Sequence, residues 1–176
     1  MHSQVRSLLV AFSMAAACAV PSWAADAPKA DLSAGYSYHD AEGGGLNGWQ
    51  ASLGWNLWGK LGLLADVSGH YRSEQDVDLD DLTFMGGLRF ALHGRGLTPF
   101  AYALAGGARA GASVRVFTVE ISESETSFAW AAGGGIDVRL SNHWAIRAQA
   151  DYLRVESDPA EGNLRFGGGI VYRILK

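Results

Sequence analysis

The sequence predicts an all-β fold: an eight-stranded antiparallel up-and-down transmembrane β-barrel, preceded by a cleavable signal peptide. Three observations predict it. Eight segments alternate strictly between two kinds of residue, which is the period of a β-strand. The larger apolar residues share one face of each segment, and glycine, small and charged residues share the other. The connections alternate long, short, long, with the acids gathered in the long ones.

The two segments Phe128–Leu140 and Trp144–Val155, joined by Ser141-Asn142-His143, display the pattern best. Phe128, Trp130, Ala132, Gly134, Ile136, Val138 and Leu140 form one face, and Ala129, Ala131, Gly133, Gly135, Asp137 and Arg139 the other. Beyond the turn, Trp144, Ile146, Ala148, Ala150 and Tyr152 alternate with Arg147, Gln149 and Asp151. Each run is about 12 residues, twice the usual globular strand. A soluble sandwich would bury the large apolar face, whereas a transmembrane barrel turns it to lipid and keeps the small and charged face for a narrow lumen.

In chain order, residues 1–24 read as a secretory signal. Arg6 is followed by an apolar run over Ser7–Val20, by Pro21, and by Ser22-Trp23-Ala24 as a small-x-small cleavage site. Residues 25–176 are then the barrel domain. Processing as a lipoprotein at Cys18, the only cysteine, is the alternative. Either way the mature barrel holds no thiol in its strands. The first segment, Asp31–Tyr38, sets Leu32, Ala34, Tyr36 and Tyr38 against Ser33, Gly35 and Ser37. A loop over His39–Asn47 leads to Gly48–Trp58, with Trp49, Ala51, Leu53, Trp55 and Leu57 outward and Gln50, Ser52, Gly54 and Asn56 inward. After Gly59-Lys60, Leu63, Ala65, Val67, Gly69 and Tyr71 alternate with Leu64, Asp66, Ser68 and His70. An acidic loop, Arg72–Asp81, precedes a fourth segment with Leu82, Phe84, Gly86, Leu88 and Phe90 outward.

His93-Gly94-Arg95-Gly96 is the next turn. The fifth segment, Thr98 to Gly111, is read with Phe100, Tyr102, Leu104, Gly106 and Ala108 outward and Ala101, Ala103, Ala105, Gly107 and Arg109 inward. The longest loop is Ala112–Thr126; its Val114–Ile121 part is β-prone and predicts that strands five and six project beyond the membrane. After the opening hairpin and the loop Glu156–Asn163, the eighth segment faces Leu164, Phe166, Ile170, Tyr172 and Ile174 outward and Arg165, Gly167, Gly169, Val171 and Arg173 inward.

Of the 18 acids, the long connections hold Asp40, Glu42, Glu74, Asp76, Asp78, Asp80, Asp81, Glu120, Glu123, Glu125, Glu156, Asp158 and Glu161. The short turns carry Lys60, His93, Arg95 and His143 and no acid. Alternate connections of an even antiparallel barrel fall on one side, so one rim is long and acidic and the other tight and weakly basic. Short periplasmic turns with longer extracellular loops are the rule for outer-membrane barrels. Both termini are therefore expected in the periplasm. The net charge of −4 argues against nucleic acid, which requires a basic footprint. Twenty-three glycines and abundant aromatics without a cysteine framework fit a membrane barrel better than a disulfide scaffold.

Against this frame, Thr98–Gly107, Phe128–Asp137, Asn142–Tyr152 and Gly167–Ile174 resemble the strands of the small outer-membrane β-barrel proteins related to outer membrane protein A and outer membrane protein X, the porin-family or outer membrane protein beta-barrel domain group. The likeness runs over the whole mature chain and specifies architecture rather than activity. It implies a Gram-negative cell envelope, a monomer among outer-membrane lipids and lipopolysaccharide, and insertion by the barrel-assembly machinery. There are two departures. The sequence closes on Leu175-Lys176 where the family ends on an aromatic, and no periplasmic domain is expected after the barrel. The peptidoglycan-binding role of two-domain relatives is accordingly not expected.

The candidate residues follow from the faces. Asp66, Arg89, Arg109, Asp137, Arg139, Arg147, Asp151, Arg165 and Arg173 are assigned to a polar network in the lumen, which eight strands leave just wide enough for side chains to fill. Trp49, Trp55, Trp58, Trp130, Trp144 and Tyr152 are assigned to the lipid interface. No catalytic, metal or cofactor site is expected. Gly43–Gly48 matches G-x-G-x-x-G but is followed by a strand rather than a helix, so it reads as a loop. Asp76–Asp80 echoes a calcium loop, but Asp81 and Gly87 occupy positions where that loop needs Gly and Glu. The expected role is structural or surface-interacting, with a charge-filled lumen. The alternatives are a narrow ion pore, a lipid A-modifying enzyme using Ser68 with His70, and a soluble periplasmic binder with its large apolar residues inside.

Overall fold

A computed structural model describes residues 27–41, 44–74, 77–116, 119–156 and 161–174. The signal segment 1–24, Cys18 and Leu175-Lys176 lie outside the described residues, as do the side chains of 40–44, 71–80, 110–125 and 157–161, which carry most of the acids of the long connections and the Asp76–Asp80 echo.

Eight strands follow one another: β1 Ala30–Ala41, β2 Gly44–Trp58, β3 Leu61–Glu74, β4 Val77–Ala91, β5 Leu97–Val116, β6 Val119–Arg139, β7 Trp144–Glu156 and β8 Glu161–Ile174. Each pairs antiparallel with its neighbour, and β1 closes on β8 from Ala30↔Ile174 to Asp40↔Leu164, giving a closed barrel. Closure leaves no edge strand, so every spanning backbone group finds an internal partner. The short turns are tightly held. Gly59 has φ 50°, a left-handed conformation that favours glycine, and it follows a register shift between Asn56 and Trp58. In the β4–β5 turn, Leu92 N–H donates to Pro99 O at 2.9 Å and Gly94 N–H to Leu97 O at 3.1 Å. In the β6–β7 turn, Leu140 and Ser141 N–H donate to Trp144 O at 2.9 and 3.0 Å.

The strands run further into the long connections than the sequence suggests. β2 begins at Gly44, so most of the glycine-rich stretch is strand rather than loop. β4 begins at Val77, inside the segment read as an acidic loop. β5 and β6 remain paired out to Val116↔Val119, the projection that the Val114–Ile121 stretch predicts.

The outer surface is apolar. Leu32, Leu53, Leu63, Leu88, Ile146 and Ile170 are each about half exposed, a continuous belt that only lipid can cover. Aromatics stand at both ends of it: Trp55, Trp58, Trp144 and Tyr172 toward the short turns, and Tyr36, Trp49, Phe128 and Tyr152 toward the long connections.

One strand is turned opposite to the sequence expectation. Phe100, Tyr102, Leu104 and Ala108 on β5 are buried inside, while Ala101, Ala103, Ala105 and Arg109 face outward and are exposed. Arg109 therefore leaves the lumen set. Phe90 pairs with Ala101 across β4–β5, so the two share the outer face. The cause is space. Gly133, Gly135, Ala129 and Ala131 present almost no bulk inward from β6, and the large residues of β5 fill the room they leave, packing with Leu64, Met85 and Leu153.

Candidate functional site

Alternation sends every second residue of each strand into an interior only as wide as its own side chains. Polar groups there have no bulk water, so each must find a partner or bear a desolvation cost. The described interior holds two such assemblies, one above the other along the barrel axis.

The assembly nearer the long connections is built on Arg165 of β8, which is 1% exposed. Its Nε donates to Asp151 Oδ1 at 3.0 Å and its Nη2 to Asp151 Oδ2 at 3.0 Å, while Nη1 donates to Ser68 Oγ at 2.8 Å and lies 3.2 Å from Asp66 Oδ1. Asp151 also accepts from Tyr102 OH at 2.5 Å, and Asp66 accepts from Gln50 Nε2 at 2.7 Å. Here the inverted β5 contributes: had Tyr102 faced lipid, Asp151 would lack this donor. Above Arg165, His70 Nε2 lies 3.0 Å from Ser37 Oγ, and the His70 and His39 rings are 5.3 Å apart. Ser68 is instead 2.6 Å from Thr83 Oγ1. The Ser68–His70 pairing weighed in the sequence is thus not formed.

The second assembly lies nearer the short turns. Arg89 of β4 donates to both oxygens of Asp31, at 2.8 and 2.5 Å. Arg147 of β7 donates Nε and Nη2 to Asp137 at 2.7 and 2.9 Å, and reaches Asp31 at 3.2 Å. Its guanidinium also sits 4.7 Å from the Phe100 ring centre, within cation–π range. Gly54 makes Arg89's position available, because a Cβ there would fall 2.5 Å from Arg89 Nη1. Arg139 and Arg173 line the same end with His93 of the turn. Burial holds the His93 imidazole below its ordinary value, and nearby Arg89 and Arg173 push it the same way.

Of the residues singled out in the sequence, Asp66, Arg89, Arg147, Asp151, Arg165 and Arg173 are buried in the interior, Asp137 and Arg139 are half-buried there, and Arg109 is outside. Trp49, Trp55, Trp58, Trp144 and Tyr152 are exposed on the outer face and Trp130 is half-buried, its ring 5.9 Å from that of Tyr152. Sequence reasoning placed Ser33, Gln50 and Ser52 on the inward face without assigning them to the polar network, and it missed Asp31 and His39 as members of the interior. Parity would have found these two, since Asp31 and His39 lie two residues either side of the inward run Ser33–Ser37. Among the described residues, no three His, Cys, Asp or Glu side chains are grouped to hold a metal ion.

This combination of a closed eight-stranded barrel, a lipid-facing apolar belt and a charged interior matches one family. The outer membrane protein beta-barrel domain model fits residues 9–173. The chain belongs to that family. It is an outer-membrane β-barrel protein. Its fold is shared with the attachment invasion locus protein Ail of Yersinia pestis, at 19% identity and a TM-score of 0.62 over 84% of this chain and 100% of that one. Neisserial surface protein A, NspA, is 13% identical with a TM-score of 0.62 over 82% of this chain and 96% of that one. OprG from Pseudomonas aeruginosa is 12% identical with a TM-score of 0.60 over 85% and 97%. At these identities the likeness is one of fold. A comparison with curated protein sequences finds no match.

Proposed function

We propose that this outer-membrane barrel is a non-conducting membrane body, a structural and surface-displaying element of the envelope rather than a pore or an enzyme. The observation that carries the reading is the pair of ion-pair assemblies on Arg165 and on Arg89 with Arg147, stacked across an interior of eight strands. Such an interior is filled by side chains rather than water, and a permeating ion would have to break pairs held at 2.5 to 3.0 Å.

In this reading both termini and the short turns face the periplasm, and the long acidic connections face outward, in keeping with the family's usual asymmetry. Trp49, Trp55, Trp58, Trp130, Trp144 and Tyr152 anchor the belt at its two lipid interfaces. The partners are outer-membrane lipid and lipopolysaccharide, with the barrel-assembly machinery during insertion, and the barrel works as a monomer. One structure of Ail holds the heparin analogue sucrose octasulfate. The acidic connections of this chain do not suit a polyanion, so that binding is not transferred.

The test is conductance. The barrel refolded from urea into lipid and inserted in planar bilayers should give no stable single-channel steps. Reproducible steps of one size would overturn the reading in favour of a narrow ion path.

A further inference from the structure

Arg139 and Arg173 share the short-turn end of the interior with two carboxylates, and neither carboxylate is left for them. Asp31 stands directly opposite Arg173 in the β1–β8 ladder. Its oxygens are nevertheless taken by Arg89 at 2.8 and 2.5 Å and by Arg147 at 3.2 Å. Asp137 gives both of its oxygens to Arg147, at 2.7 and 2.9 Å. Arg173 is 7% exposed, and its Nη2 is buried with no hydrogen-bond partner. Arg139 Nε is buried in the same condition, and its Nη2 makes a long bond of 3.4 Å to Gly94 O. Both arginines line a cavity of about 20 Å³ together with His93, Arg89, Asp31 and Asp137.

Among the described residues this end of the interior holds four guanidiniums against two carboxylates, both engaged by Arg89 and Arg147, and Arg139 and Arg173 each keep a buried donor without a hydrogen-bond partner. Water could satisfy the donors but not the charge, and an uncompensated buried charge is strongly unfavourable. The cavity holds roughly one water-sized group, so a ligand would insert one oxygen of its terminal group and leave its remainder at the rim. Guanidinium forks match the oxygens of carboxylate and phosphate. We propose that the short-turn end of the lumen is a binding site for one terminal oxyanion, a phosphate or carboxylate group, held between Arg139 and Arg173.

The experiment titrates inorganic phosphate, and separately acetate, into the refolded full barrel in a phosphate-free maltoside detergent, read by calorimetry. The expected result is saturable one-to-one binding, at least tenfold weaker in Arg173→Gln and in Arg139→Gln. Arg154→Gln, which alters an exposed pair with Glu156 at the other end, should bind as the unaltered protein does. Folding of each variant is checked by heat-shifted gel migration, and the half-buried Arg139 supplies a second variant should Arg173→Gln fail to fold. Repeating the titration with phosphatidylglycerol in the micelles separates two sources of the same chemistry. Competition assigns the site to a lipid headgroup, and its absence assigns it to a free anion; both keep the site. No saturable binding of either anion, or unchanged affinity in the Arg→Gln variants, overturns the proposal. The titration reads binding whether or not the barrel conducts, so it stands apart from the bilayer test.

Discussion

Replacing Asp151 by asparagine isolates the charge that holds the Arg165 assembly. Asp151 is 3% exposed and accepts from Arg165 Nε and Nη2 at 3.0 Å each and from Tyr102 OH at 2.5 Å. Asparagine keeps the shape, and its amide oxygen can still accept from Tyr102. Arg165, however, loses one of its two carboxylates, retaining Asp66 at 3.2 Å and Ser68 at 2.8 Å. Removing one partner of a buried pair costs about 3 to 5 kcal/mol. Because Asp66 remains, the lower end applies, about 3 kcal/mol. With a urea slope of about 1 to 3 kcal/mol per molar, the unfolding midpoint should fall by roughly 1 to 3 M. The assay is tryptophan fluorescence of the barrel in lipid vesicles over a urea series. A double variant, Asp151→Asn with Arg165→Gln, should lose much less than the sum of the single changes, with a coupling of at least about 1 kcal/mol. A loss under about 1 kcal/mol, or additive single changes, would refute the view that this pair is a coupled, desolvated unit.

Three further outcomes follow from the geometry. Gly54→Ala should cost about 1 to 3 kcal/mol, since its Cβ would fall 2.5 Å from Arg89 Nη1 and displace that guanidinium from Asp31; the same urea series checks it. Ile170→Arg, on the outer face between the Phe166 and Tyr172 rings, should cost about 2 to 4 kcal/mol in vesicles, while a change near the rim such as Arg154→Gln should be near neutral. His93 has its imidazole held below the ordinary value of 6.5, so as pH falls through 6.5 the unfolded chain takes up the proton first. Stability should therefore decline on acidification below that point, and His93→Asn should flatten this part of the pH profile of the urea midpoint.

What the sequence made legible was governed by local parity. Alternation in β7 and β8 places Arg147, Asp151, Arg165 and Arg173 inside without any knowledge of neighbours. Parity failed where both faces looked alike. In β5 the large set Phe100, Tyr102, Leu104 and the small set Ala101, Ala103, Ala105 are both free of charge, so lipid and lumen suit either face. What decides is the bulk of neighbouring strands and the length of the 92–96 turn, since a one-residue slip exchanges the faces. The strand extension at Val77 was hidden for a related reason. Beyond the lipid belt a strand no longer needs an apolar outer face, and acid-rich pairing there resembles a loop. The partners themselves are nonlocal: Arg147 meets Asp31 116 residues away and Arg89 meets it 58 away. Only barrel closure through β1 and β8 brings those pairs together.

The charge along the interior is polarised, and this ties the two proposals together. At the short-turn end, Arg89, Arg139, Arg147 and Arg173 face Asp31 and Asp137, an excess of positive charge. Toward the long connections, Arg165 faces Asp66 and Asp151, an excess of negative charge. An ion of either sign would be attracted at one end and repelled at the other, in an interior where screening is weak. An anion entering from the short-turn end is therefore stopped at the Asp66–Asp151 level, which favours occupancy over passage. It follows that Arg139→Gln and Arg173→Gln should weaken oxyanion binding at least tenfold yet leave the barrel silent in planar bilayers, because the Arg165 and Arg89 pairs stay in place. Stable conductance in those variants would mean that the bound anion, and not the paired side chains, is what blocks the lumen.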